Sequence, residues 1–185
     1  MKTESNRLPV IDLVPSLLNA WRINHRATMF LVENIPSGTW DASLPNSPRK
    51  TIRSIAVHLH NSRCSWMKSL GVASGLSIPA GLKRGYVSHA SVCAALRRSG
   101  PQMRRMLEAG IRNGGTLPGV SGSFYFGAMP RDVALFVGYA LSHEAHHRGQ
   151  ILLIARETGR RLPPEVVHGL WQWSSRLKEI KGKDS

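Results

Sequence analysis

His143 and His147 stand four residues apart in the run SHEAHHRGQI, within a segment that begins RDVALFVGYAL and is otherwise apolar. On a helix that spacing puts both imidazoles on one face, a turn apart. Phe136, Ala140, Ile151 and Ile154 share the face, so the pair is expected to point into a dry interior. Two rings there need several hydrogen-bond partners, which an apolar core does not supply. A divalent cation satisfies both at once. The plainer reading, core histidines held by hydrogen bonds, suits one buried ring better than two. His146 projects well away from this face, and the pattern assigns it no role.

A metal site needs at least a third protein ligand, with one position left open if it does chemistry. The stretch VHLHNSR offers His58 and His60. On a helix these point about 200° apart, so at most one can face a site shared with the other pair. Leu59 and Trp66 mark the core face of this segment; His60 flanks it closely and His58 lies further out on the other edge. Periodicity leans slightly to His60 and does not decide.

Residues 143–147 also satisfy H-E-x-x-H, the zinc-protease pattern, in which Glu144 would be the general base. The pattern is short and matches often by chance. Its extended form fails, because Gln150 stands where glycine is required. Glu165 follows two prolines and reads as a helix-start acid, not a distant ligand, and no sheet is expected that could hold an extended peptide. With Arg148 four residues on, Glu144 reads better as one half of a helix ion pair. Gln150 is given no role.

The elements that must position these residues are helical, since period-two alternation is nearly absent and i, i+3, i+4 recurrences are common. A first helix is expected from about Pro15 to Asn34, burying Leu17, Leu18, Trp21, Met29 and Phe30. A second runs from about Thr51 to Gly71, with Ile52, Ile55, Leu59, Trp66 and Leu70 at core spacing. A Gly-, Ser- and Pro-rich link leads to a third, from about Ser88 to Asn113, which Pro101 should kink or split. The fourth should start at Pro130 or Arg131 and close at Gly159, and a short last helix carries VVHGLWQWSSRL. The fourth is apolar nearly all round away from its histidines, which marks the centre of a four-helix bundle.

The 185 residues fit one domain over 1–185, with a core of about 12–178 and a basic tail at 179–185. No apolar run approaches a membrane span, and the first ten residues lack the core of a secretory signal. Cys64 and Cys93 form no CxxC, which suits a reduced compartment. The expectation is a soluble cytoplasmic protein with no membrane partner. Its formal charge of +14 attracts anionic partners and says nothing about fold.

The segment LFVGYALSHEAHHRGQILLIARETGRRL resembles the closing helix of the DinB-like (DinB/YfiT) superfamily, in which a histidine, three spacers and HRGQ recur. TIRSIAVHLHNSRCSWMKSL is similar to that family's second helix, whose metal histidine stands eight residues before an aromatic, here Trp66. HGLWQWSSR resembles the ending of one branch. The resemblance implies an all-α four-helix bundle with a divalent metal, usually zinc or nickel, on His58, His143 and His147. It further implies a homodimer and a small-molecule substrate. Some members are transferases or isomerases that use a low-molecular-weight thiol, and many are called metal-dependent hydrolases. Three neutral imidazoles would hold the ion and leave an open position where a water or thiol becomes nucleophilic near neutral pH.

One feature leaves a different class open. Arg97, Arg98, Arg104, Arg105 and Arg112 fall on one arc of the third helix, opposite Leu96, Met103, Met106, Leu107 and Ile111. The plain reading is a solvated face. The alternative is a non-catalytic protein that binds nucleic acid through phosphate contacts and carries a structural metal. No helix-turn-helix or zinc-finger spacing supports it. Trp171 and Trp173 read as packing or dimer contacts.

Overall fold

The computed structural model describes residues 12–71, 75–83, 85–119 and 129–181. Its elements are α1 (Val14–Glu33), α2 (Ile52–Leu70), α3 (His89–Arg112), α4 (Val133–Glu157), α5 (Pro164–Gly169) and α6 (Trp173–Lys181), with a 3₁₀ turn at Ser37–Thr39. Among the described residues there is no strand, only an isolated bridge between Thr116 and Asp132. Local chemistry sets the helix starts. Thr51, Ser88 and Asp132 each accept a backbone N–H three residues on, at 3.0, 3.2 and 2.9 Å. The Asp132 cap places the start of α4 at Val133, slightly later than the proline and arginine before it suggest. Gly159, at φ 71°, follows the end of α4 in the left-handed conformation that closes helices.

Pro101 neither splits nor ends α3, which is continuous from His89 to Arg112. The carbonyl that loses its partner belongs to Arg97, and both Arg97 and Pro101 are exposed. The missing bond therefore falls on the solvent side, where water can satisfy it. Val92 and Leu96 before the proline, and Met103, Met106 and Leu107 after it, are fully buried and hold both halves on the core. The chain after Pro163 forms two short helices, not one. The second, α6, extends to Lys181 and buries Ile180; residues 182–185 of the expected basic tail, 179–185, lie outside the described residues.

α1 and α2 each pack on both α3 and α4. They therefore lie across one diagonal of the bundle, with α3 and α4 on the other. Trp21 meets Gly100 and Val32 meets His89, so α1 and α3 are antiparallel. Arg63 meets Leu96 and Gly71 lies by Met106, so α2 and α3 are parallel. The link between them must travel back along α2. It does so with Ala80 beside His60 and with Leu82 bonded in both directions to Asn61. That path explains why the Gly- and Pro-rich link is long.

The interior holds two apolar clusters. One gathers Leu31, Ile52, Leu59, Leu96 and Ile151; the other gathers Trp21, Trp66, Met103, Leu107 and Phe136. A polar group lies at the middle of the bundle. Arg63 and Glu144, neither exposed to solvent, pair at 2.7 Å. Glu144 Oε2 also accepts from Asn24 Nδ2 at 2.9 Å and from Thr28 Oγ1 at 2.8 Å. Arg148 Nη1 donates in turn to Asn24 Oδ1 and Thr28 Oγ1, both at 2.8 Å. Each buried charge thus has several partners, the condition for tolerating charge in a core.

Candidate metal centre

His58 on α2 and His143 and His147 on α4 come together because α2 and α4 run antiparallel, with Trp66 against Phe136 further along. Each offers a nitrogen, and these three nitrogens lie within 4.8 Å of one another. Ring centroids are 4.5 Å apart for His58–His147 and for His143–His147, and 5.3 Å for His58–His143. Trp66 stands edge-on to His143 at 5.0 Å and limits where that ring can swing.

The cluster sits at the rim of the bundle, not in a dry interior. His58 is exposed and the other two are partly exposed. The buried stripe of α4 (Val133, Phe136, Val137, Ala140, Glu144, Ile151, Ile154) is centred nearer Glu144, with the two histidines on its flank. This also reassigns Glu144. Its carboxylate is fully buried and occupied by Arg63, Asn24 and Thr28, so it cannot serve as the base of a zinc-protease motif. Its expected helix partner Arg148 approaches only to 3.9 Å, and the principal partner is Arg63. Burial alone would raise the Glu144 pKa; the Arg63 charge and hydrogen bonds overcome it and hold the group below its ordinary value.

His60, which periodicity favoured, is the histidine that does not join. It is fully buried, with Nε2 3.0 Å from the Ala80 carbonyl and 3.4 Å from Cys64 Sγ. It serves the link that runs back along α2. A helical wheel could not show this, because the element covering His60 lies twenty residues away in sequence.

Gln150, given no role from sequence, is a neighbour of the cluster. His147 Nδ1 is 2.9 Å from Gln150 Oε1 and donates to it, which leaves Nε2 of that ring free to ligate. The Gln150 amide donates at 2.7 Å to His146 Nε2, placing His146 outside the ligand set as an outer support. The i, i+3 spacing from His147 was the signal for this contact. Arg63 had a signal too: it occupies a core position of α2 between Leu59 and Trp66.

The donor set fits a divalent ion of intermediate softness such as zinc or nickel. Burial, and then the neighbouring His147 and His58, lower the pKa of His143 to about 4. Burial also lowers that of His147, opposed by the Gln150 hydrogen bond. Both rings are therefore neutral at pH 7, the form that ligates. His143 Nδ1 is buried and has no hydrogen-bond partner among the described residues, a cost that a cation bound by the cluster helps offset.

The DinB family model matches residues 1–176. The chain belongs to the DinB family. No curated protein and no solved structure matches it. In this DinB-family chain the three histidines that the family resemblance names are the three that the fold brings together. Among the described residues no helix is long and apolar enough to cross a membrane. The arginine arc of α3 is partly neutralised: Arg97 pairs with Glu33 and Arg104 with Glu108, each at 2.7 Å. Trp171 is 81% exposed and is not a core residue.

Proposed function

We propose that this DinB-family protein is a metal-dependent enzyme, a hydrolase or a thiol-dependent transferase, with a zinc or nickel ion held by His58, His143 and His147. Convergence of three imidazoles, with His58 and His147 on the wall of a cavity, carries the reading. When bound, such an ion supplies Lewis acidity and draws the pKa of a water or thiol toward neutrality. The protein's own groups supply position. Gln150 fixes the tautomer of His147, and Trp66 confines His143. Glu144 locks α4 to α2 and α1 through Arg63, Asn24 and Thr28, and takes no proton from substrate. The exposure of His58 leaves the site open to a small molecule. The working unit is proposed to be a single-domain homodimer in the cytoplasm, as the family resemblance implies.

The test is metal content followed by activity. Protein purified without added metal should carry about one equivalent per chain, and His147→Ala should remove most of it. Small thiols and activated esters are then screened against the loaded protein. A chelator should abolish turnover while the helical circular dichroism signal survives. Retention of the ion by His147→Ala would refute the ligand assignment.

A further inference from the structure

Beside the histidine cluster lies a cavity of about 840 Å³, a size that accepts a small organic molecule. His58 and His147 form part of its wall, and Arg49, Lys50, Arg53 and Tyr86 form another part. Among the described residues that line it there is no aspartate or glutamate. Lysine and arginine are common on this chain, so basic character alone would decide little. Arg53 is more specific. Its Nη2 pairs with Asp41 at 3.0 Å, and its guanidinium lies over the Tyr86 ring, 5.1 Å from the centroid. Nη1 is buried and has no hydrogen-bond partner among the described residues. A guanidinium N–H withdrawn from water without an acceptor is costly. Arg53 is on the cavity wall, so a modest turn of the side chain would bring that N–H to an anionic oxygen bound there. Asp41 and Tyr86 hold the guanidinium beside the cavity before any ligand arrives.

The nearby start of α2 adds little. The N–H groups of Ile52, Arg53, Ser54 and Ile55 are taken by the Ala42 and Trp40 carbonyls and by Thr51. Recognition in this cavity therefore falls to side chains. We propose that the substrate carries a carboxylate or phosphate group, which Arg53 binds with support from Lys50 and Arg49. The rest of the molecule then extends toward His58 and His147. The inference rests on the metal reading for the chemistry at that end, while anion binding is measured separately.

The experiment is calorimetric titration of the full-length, metal-loaded protein with inorganic phosphate and with succinate. Wild type is compared with Arg53→Gln, Lys50→Gln and, as a control, Arg112→Gln on the far-side arc of α3. At least one anion should bind. Arg53→Gln should weaken it about tenfold or more, Lys50→Gln by less, and Arg112→Gln should have no effect, with metal content equal in all four. A response to phosphate alone identifies a phosphate ester, and a response to succinate alone identifies a carboxylate. Lys50 is exposed, so its variant remains informative if Arg53→Gln misfolds. The proposal is overturned if neither anion binds, or if both cavity variants bind as tightly as wild type. It is equally overturned if binding disappears in His147→Ala and is unchanged in the cavity variants, since the metal alone would then hold the anion. If the protein takes up no metal yet Arg53→Gln still loses the anion, the metal reading fails and the anion site stands.

Discussion

Arg63 on α2 and Glu144 on α4 form a two-point ion pair, at 2.7 and 2.8 Å, with neither side chain exposed to solvent. Removing one member leaves the other as an uncompensated buried charge, which costs about 3–5 kcal/mol. Glu144→Ala and Arg63→Ala should each destabilise by that amount in urea unfolding. The double variant should lose clearly less than the sum, because its second change removes the stranded charge. Additive losses would show that the pair is not coupled.

Gln150 is the protein group that sets the tautomer of His147. Outer partners of this kind typically contribute a factor of about 10–100 in metal affinity. Gln150→Leu should weaken zinc binding to that extent in competition with a chromophoric chelator, with thermal stability of the metal-free protein nearly unchanged. His60→Ala, at a histidine turned toward Ala80, should leave zinc affinity as it is.

His25 accepts a hydrogen bond from Arg63 Nη1 at 3.1 Å through Nδ1, so its ring is neutral. Burial, then the Arg63 charge, lowers its pKa to about 3, against 6.5 for an ordinary histidine. Between those values the unfolded chain binds a proton that the folded chain does not, so stability falls as pH falls below about 6.5. The contribution is about 1.4 kcal/mol per pH unit at most. His25→Asn should flatten the stability profile between pH 6 and 5 by that slope, measured with chelator present throughout. An unchanged slope would mean that His25 carries a proton in the fold.

Two helical glycines should respond oppositely to alanine. A Cβ at Gly100 would fall on the His25 ring, which Arg63 restrains, and Gly100→Ala should cost about 1–3 kcal/mol. At Gly138 no atom would lie within 4 Å of the added carbon, and Gly138→Ala should stabilise α4 by about 0.5–1 kcal/mol. Differential scanning calorimetry of the two variants decides both.

Local features were legible in the sequence where a short-range rule governs them. The i, i+4 spacing placed His143 and His147 together, and the helix bodies followed from apolar recurrence. What a single helix cannot encode is which side another element covers. His60 outranked His58 on periodicity because the returning link over Ala80 is invisible to a wheel. Glu144 had a ready local partner in Arg148, which concealed the stronger pairing across the bundle. Pro101 carries a local penalty that long-range packing overrides, since its lost hydrogen bond faces water.

The exposed position of His58 bears on how the protein would acquire its ion. A cation arriving at such a ring meets a molecule whose two apolar clusters are already assembled. Capture would then be limited by ligand exchange at the imidazoles, with no need for the helices to part. The occupant would track whichever divalent ion is available at the time, so preparations from differently supplemented media should differ in metal identity while sharing one backbone.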